Sequence, residues 1–193
     1  MNDAARDVAA VVLTTEQIAA KVSELAAAIS RDYVGRVPLL VSALKGAVYF
    51  LTDLTRAIDI PVEIDFIAIT RYGSARPQSG VVRLIKDLDV EITGRDVLLV
   101  EDIIDTGLTA GYLLRLLGAR APASLRICTL LDRPHRRILD TLEIAYRGVE
   151  IPDRFVVGYG LDYREQYRHL PFIGILKDEI LRGPVASISD RST

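Results

Sequence analysis

The chain has 193 residues, 50% of them hydrophobic, and a formal net charge of −2 at pH 7. This length fits one domain of ordinary size with a sizeable core. The charge leaves no basic patch, so we expect no nucleic-acid partner. No apolar run approaches the roughly 20 residues that a membrane helix needs, so we expect no membrane partner either. The single cysteine, Cys128, excludes an internal disulfide and favours a reducing compartment, which predicts a cytoplasmic protein.

Strand and helix signals alternate along the chain. Thr14 and Gln17 are spaced as a capping box, and the apolar stripe that follows predicts a helix to about Tyr33. The alternation predicts an α/β fold with a mostly parallel twisted sheet flanked by helices, and a ligand site beyond the carboxyl ends of the strands. The later predicted elements are a strand at 38–43, a turn at 44–46, a helix at 47–58, a strand at 62–69, a mobile loop at 71–80, a returning strand at 81–85, a strand from 97, a helix to about 117, a strand at 125–131, a loop or short helix at 132–141, and strands at 155–157 and 171–176.

The two ends of the chain differ in composition from the segment between them. Residues 1–12 are mostly small and mixed in character, and residues 183–193 are polar, so both are expected to be flexible. The intervening residues 13–182 form one predicted domain. The apolar segment 171–176 is expected to close its sheet.

The stretch 97–109 joins a buried strand, three acidic residues and a turn that opens a helix. Such a turn places backbone N–H groups and the positive end of a helix at one point, which is typical of a phosphate monoester site. Glu101 and Asp102 would repel phosphate, so we expect them to face the hydroxyls of an adjoining ribose, with a divalent metal nearby. The alternative is a buried strand that ends in a solvated acidic loop. The expected phosphate-binding residues are Asp105, Thr106, Gly107, Leu108 and Thr109.

The segment 101–107, Glu-Asp-Ile-Ile-Asp-Thr-Gly, resembles the phosphoribosyl-diphosphate signature of type I phosphoribosyltransferases, in the form of the hypoxanthine-guanine branch. The resemblance extends over residues 12–180. It implies the fold of that family, with a small hood formed by residues 150–182 and the N-terminal segment. It also implies purine salvage, in which hypoxanthine or guanine and 5-phosphoribosyl 1-diphosphate give IMP or GMP and pyrophosphate. Asp105 would be the catalytic residue, managing the proton at the imidazole nitrogen of the purine.

Three segments are similar to the family's pyrophosphate contacts. On residues alone, Lys45 is equally a phosphate contact or a solvated turn lysine, but the resemblance implies a pyrophosphate loop with a cis peptide bond before it. Arg71 stands where the family has serine, and it either pairs with pyrophosphate or faces solvent. In the family, the loop that corresponds to residues 71–80 closes over the active site. The implied pyrophosphate-binding residues are Leu44, Lys45, Gly46, Arg71, Tyr72 and Arg168.

Two segments near the C-terminal end are similar to the family's base-binding residues. Arg133 stands where the family usually has a lysine that reaches the 6-oxo group of the base. Arginine can donate to that oxygen, but the change leaves the preference among hypoxanthine, guanine and xanthine open. Phe155 would stack on the purine, and Val156 would pair with the base edge through its backbone. Asp162, the last of the implied base-binding residues, would bind a magnesium ion that also holds pyrophosphate. The implied Mg²⁺ ligands are Glu101, Asp102 and Asp162.

Two other functions remain open on the sequence. One is a phosphoribosyltransferase that prefers xanthine, which would share every motif except base recognition. The other is a non-catalytic regulator that senses a nucleotide with the same fold. The resemblance also implies a homodimer or homotetramer, and the sequence does not fix which.

Overall fold

The computed structural model describes residues 3–71 and 82–182, and within them a central sheet of six strands in the order β4-β3-β2-β5-β6-β7. Five strands are parallel, and the edge strand β4 is antiparallel to β3. This confirms the predicted α/β class. The elements of this sheet and its flanking helices are α1 (Thr15–Asp32), β2 (Leu39–Leu44), α2 (Val48–Ala57), β3 (Glu63–Arg71), β4 (Val82–Lys86), β5 (Asp96–Ile104), α3 (Leu108–Gly118), β6 (Ser124–Asp132) and β7 (Tyr146–Glu150).

The strand order places a crevice between β2 and β5. The chain moves from β2 outward through β3 to β4 and then returns to add β5 on the other side of β2. In open α/β sheets, ligands bind at the carboxyl ends of two strands that diverge in this way. The turn after β2 carries Lys45, and the carboxyl end of β5 carries the acidic stretch 101–105, so both reach this crevice.

Strand β5 is buried on both of its faces, as its four consecutive apolar residues predict. Residues Val97 to Val100 are all fully buried. Leu98 and Val100 pack into the core beneath α1 and α2, whereas Val97 and Leu99 pack into the core beneath α3. Alternate side chains of a strand point to opposite faces, so helices on both sides give the strand its continuous apolar run.

The N-terminal segment has regular structure over residues 3–13, where the sequence analysis expected residues 1–12 to form a flexible end. A 3-10 helix (Asp3–Asp7) precedes β1 (Val8–Leu13), which pairs antiparallel with β9 (Ile173–Leu176). The short β8 (Val156–Val157) pairs with the other side of β9. These strands form a separate three-stranded sheet from the two ends of the chain, followed by a last helix, α4 (Asp178–Arg182).

Residues 171–176 therefore do not close the central sheet, and this prediction is wrong. The central sheet instead ends at β7, a strand that the sequence analysis missed because its residues, Tyr-Arg-Gly-Val-Glu, show no apolar run. Cys128 is buried in the core, as its apolar surroundings predict. Among the described residues, no helix combines the length and apolar character needed to cross a bilayer.

Candidate active site

The crevice between β2 and β5 opens into a cavity of about 470 Å³. A smaller cavity of about 260 Å³ adjoins it along the turn before α3. Glu101, Asp102, Asp105 and Thr109 line both cavities, so the two spaces share one acidic wall. The other predicted site residues that line the larger cavity are Leu44, Lys45, Gly46, Arg133, Phe155, Val156, Asp162 and Arg168.

The smaller cavity is formed by the turn between β5 and α3. Gly107 has a φ of +80°, a left-handed conformation that glycine adopts without a steric cost. The Leu108 amide lies 3.4 Å from Thr106 Oγ1, and α3 begins with the bond from the Gly111 amide to the Gly107 carbonyl, at 2.8 Å. The amides of a first helical turn have no partner within the helix, so this turn offers donors to an anion. The Leu108 side chain is exposed and lines neither cavity, so its part is limited to the backbone.

The turn is braced from outside by the loop after β6. Thr106 accepts a bond from the Ile138 amide at 3.0 Å. Arg137 pairs with Asp132, a fully buried carboxylate at the end of β6, and Asp132 also lies 3.1 Å from Arg147 Nε. These ion pairs hold the loop against Gly107, where a Cβ would lie 3.1 Å from Arg137 Cδ.

The two acids at the end of β5 face the larger cavity. Glu101 is 6% exposed, and Asp102 is partly buried and accepts a bond from the Ile103 amide at 2.8 Å. Burial raises the pKa of the Asp102 carboxyl to about 6, although the Ile103 amide and the Arg168 charge act in the opposite direction. A ligand that brings hydroxyl donors or a cation would stabilise the charged form of this buried carboxylate.

Replacing Asp102 with Asn is expected to raise the free energy of unfolding of the unliganded protein at about pH 8. Folding shifts the Asp102 pKa from 3.8 to about 6, so ionisation of the buried carboxyl costs on the order of 2–3 kcal/mol. Between pH 3.8 and about pH 6 the folded state binds more protons than the unfolded state. The free energy of unfolding therefore falls as the pH rises through this range, and the cost of ionisation is absent below it. In urea unfolding, the free energy of unfolding of Asp102→Asn should exceed that of the wild type at about pH 8. This difference should shrink toward about pH 4. An equal difference at both pH values would contradict this origin.

The turn after β2 brings Lys45 to the opposite side of the cavity. The Leu44–Lys45 peptide bond is cis, as predicted. Lys45 Nζ lies 3.0 Å from Glu165 Oε2, and Glu165 Oε2 is 3.4 Å from Arg168 Nη2. Hydrogen bonds from the Lys45 and Arg168 side chains, together with their charges, lower the pKa of the Glu165 carboxyl. Glu165 was not predicted as a site residue, because one acid in a polar loop gives no pattern to distinguish it.

Arg168 is the second cation of this cavity wall. Its Nη1 donates to the Gly160 carbonyl at 2.6 Å, and its Nη2 lies 2.9 Å from Asp162 Oδ1. Asp162 Oδ2 accepts a bond from the Glu165 amide at 2.9 Å. Lys45, Asp162, Glu165 and Arg168 therefore form one charged network, and all of them except Glu165 line the larger cavity.

The far end of the cavity carries an aromatic ring and a buried arginine. Phe155 is 42% exposed and packs edge-to-face against Tyr163, with ring centroids 5.6 Å apart. Arg133 is buried; its Nη2 donates to the Arg154 carbonyl at 2.7 Å, and its Nη1 is 3.5 Å from Asp105 Oδ2. Arg133 is therefore not a surface arginine.

Asp105 lines both the cavity at the turn before α3 and the cavity that Phe155 lines. Its Oδ2 is also 3.3 Å from Arg136 Nη1, a contact that the sequence analysis missed. Its Oδ1 is buried and has no hydrogen-bond partner in the part of the chain that the structure describes. One carboxylate oxygen is thus held by arginines while the other remains able to accept a proton or a hydrogen bond.

Two predicted residues cannot be placed in the site. Tyr72 lies outside the described residues, as does the rest of the predicted loop to Gly80. Arg71 is the last residue of β3, and its side chain is likewise outside the description. Their roles remain predictions.

Comparison with known proteins agrees with this geometry. The family model of the phosphoribosyl transferase domain matches residues 10–164. The hypoxanthine-guanine phosphoribosyltransferase of Mycobacterium bovis is 51% identical over 180 residues, which cover 90% of this chain and 89% of the relative. The chain belongs to the hypoxanthine-guanine phosphoribosyltransferase family. Another member of the family, from Bacillus subtilis, is 47% identical over 174 residues, covering 90% of this chain and 96% of that protein.

A crystal structure of a hypoxanthine phosphoribosyltransferase from Staphylococcus aureus has the same fold. It superposes with a TM-score of 0.89 at 45% sequence identity and covers 93% of this chain and 97% of its own. The family's fold is therefore present over nearly the whole chain, including both sheets.

Proposed function

We infer that this protein transfers the 5-phosphoribosyl group of 5-phosphoribosyl 1-diphosphate to hypoxanthine or guanine, giving IMP or GMP and pyrophosphate. The observation that carries this inference is the set of groups that line one crevice. A helix-opening turn, two acids, a pair of cations and an exposed aromatic ring line its two adjoining cavities. They match the phosphate, ribose, pyrophosphate and purine of one nucleotide and its leaving group.

Each part of the crevice has a proposed task in the reaction. The turn 105–109 holds the 5′-phosphate, and Glu101 with Asp102 holds the ribose hydroxyls. Phe155 stacks on the purine, and the Val156 backbone pairs with its edge. These contacts place the base nitrogen against the anomeric carbon, and such positioning removes much of the entropic barrier.

The polar side chains then act on the charges that move. Lys45 and Arg168 stabilise the negative charge of the departing pyrophosphate, with Arg71 and Tyr72 covering it from the loop. Asp105 accepts the proton from the imidazole nitrogen of the base. The arginines on Oδ2 keep that carboxylate oriented toward the base.

The donor set fits a magnesium ion that arrives with the diphosphate. No group of three or more His, Cys, Asp or Glu able to hold a metal occurs among the described residues. Mg²⁺ typically uses one or two protein carboxylates together with substrate phosphates and water. Glu101, Asp102 and Asp162 line the cavity and would supply those carboxylates. The ion would supply charge neutralisation for the leaving group.

The decisive experiment is an assay of the purified protein with 5-phosphoribosyl 1-diphosphate and each 6-oxopurine. We expect magnesium-dependent release of pyrophosphate with hypoxanthine and guanine. Turnover with xanthine in preference to both would favour the xanthine-preferring alternative. Nucleotide binding without any pyrophosphate release would favour the non-catalytic regulator.

Replacing Arg133 with Lys is expected to change the preference among bases. The guanidinium makes two contacts with the protein, to Asp105 and to the Arg154 carbonyl, which a single ammonium cannot reproduce. We expect the ratio of kcat/KM between hypoxanthine and guanine to shift by about 5- to 10-fold. The KM for 5-phosphoribosyl 1-diphosphate should stay within about twofold. An unchanged ratio would show that Arg133 takes no part in base recognition.

The remaining expectations concern partners and location. We propose a homodimer or homotetramer, as the family resemblance implies, and sedimentation would distinguish the two. We also propose a cytoplasmic location, which agrees with a single cysteine buried in the core. The division into a domain at 13–182 and a tail at 183–193 likewise remains a proposal.

A further inference from the structure

The carboxylate of Glu165 stands between the two cations proposed to bind pyrophosphate. Its Oε2 lies 3.0 Å from Lys45 Nζ and 3.4 Å from Arg168 Nη2. A carboxylate and a phosphoryl group present similar charged oxygens to such donors. Glu165 therefore already makes, in the unliganded protein, the contacts that a diphosphate would make.

We propose that Glu165 is an internal anion that occupies the pyrophosphate subsite and sets how tightly diphosphate ligands bind there. The proposal rests on the function inferred above and adds to it a residue that competes with the substrate and with the product. It assigns to Glu165 no part in the chemical step.

The loop that carries Glu165 is shaped to present its side chain. Arg164 and Glu165 have φ values of +54° and +63°, a region that residues other than glycine rarely adopt. The loop keeps this shape through the bond from the Glu165 amide to Asp162 and through paired backbone bonds between Tyr163 and Gln166, at 3.1 and 3.2 Å. The closed local turn thus fixes the backbone position from which the Glu165 side chain reaches Lys45 and Arg168.

The ion pairs are weak enough for a substrate to displace. The Lys45 and Glu165 side chains are 69% and 65% exposed, and ion pairs so open to water contribute little. A diphosphate carries more charge and more acceptor oxygens than one carboxylate, so it can replace Glu165 on both cations at once. Arg168 stays oriented during the exchange because Gly160 and Asp162 also hold its guanidinium. An anion with a single charge gains little by replacing the Glu165 carboxylate, so competition with Glu165 favours diphosphates over such anions.

Replacing Glu165 with Gln tests the proposal. The amide removes the competing charge and keeps the size of the side chain. We expect the dissociation constant for pyrophosphate in the presence of Mg²⁺, measured by calorimetry, to fall by about 3- to 10-fold, and the KM for 5-phosphoribosyl 1-diphosphate to fall with it. The KM for hypoxanthine should stay within about twofold. Glu165→Asp keeps the charge on a shorter side chain, and its pyrophosphate affinity should lie between those of the wild type and Glu165→Gln.

The matched control is Glu24→Gln. Glu24 also pairs with a lysine and is also 65% exposed, but it lies on the outer face of α1. Glu24→Gln changes the net charge by the same amount as Glu165→Gln, so its pyrophosphate affinity should match that of the wild type if only the local charge matters. Pyrophosphate binding to Glu165→Gln that is unchanged or weaker than wild type would overturn the proposal and make Glu165 a supporting contact. Calorimetry needs no turnover, so this result can be read even if the wild type fails to make nucleotide, which would contradict the proposed function instead.

Discussion

Replacing Asp105 with Asn is expected to lower kcat by about 10²- to 10⁴-fold, the range that a positioned general acid or base contributes. Asparagine has nearly the same shape and keeps an oxygen for Arg133 and Arg136, but it cannot take the proton of the base. The dissociation constant of IMP should change much less, because the phosphate is proposed to bind to the backbone of the turn. Steady-state kinetics and equilibrium binding of the nucleotide measure the two effects separately.

The control for this variant is Asp153→Asn. Asp153 is the other carboxylate that pairs with Arg136, at 3.5 Å, but it is 61% exposed and does not line the cavity. Losing this pair should leave kcat within about twofold of wild type. Equal losses of turnover and of nucleotide binding in Asp105→Asn would contradict a proton-transfer role and indicate a purely structural one.

Replacing Gly46 with Ala is expected to lower kcat/KM by about 10²-fold, because a displacement of about 1 Å in a site can have that effect. A Cβ at this position would lie 2.1 Å from Asp102 Oδ2 and 3.3 Å from the Gly160 carbonyl. The turn that carries Lys45 and the acid proposed to hold the ribose cannot both keep their places around an added methyl group. Kinetics with saturating hypoxanthine and varied 5-phosphoribosyl 1-diphosphate would measure the loss.

Gly118→Ala provides the comparison for a glycine outside the site. A Cβ there meets only Leu125 Cδ2, at 3.8 Å, which is ordinary van der Waals contact. Alanine also has a higher helix propensity, so this variant should fold and keep wild-type kinetics. Normal activity in Gly46→Ala would show that the close approach of the two turns is not needed for catalysis.

The site could be predicted where local sequence determines local structure. The four apolar residues before Glu101 predict a buried strand, and the glycine turn that follows predicts the start of a helix; the structure has both. The carboxyl ends of parallel strands meet at one edge, so Lys45 and Glu101 were expected close together although they are distant in sequence.

The features that were missed depend on pairing between distant segments. The strand at Val8–Leu13 is stabilised by residues Ile173–Leu176, and no local pattern in the small N-terminal residues identifies that partner. Likewise, Glu165 meets Lys45 across 120 residues, and Arg136 meets Asp105 across 31. Charged loop residues fit solvent as readily as an ion pair, so only the folded chain distinguishes them.

The central claim is that one crevice holds phosphate, ribose and purine in this order, and a crystal structure with bound IMP tests it most directly. The account predicts the 5′-phosphate against the amides of residues 105–109, the ribose hydroxyls at Glu101 and Asp102, and the purine on Phe155. A nucleotide bound elsewhere, with the turn before α3 left empty, would contradict it.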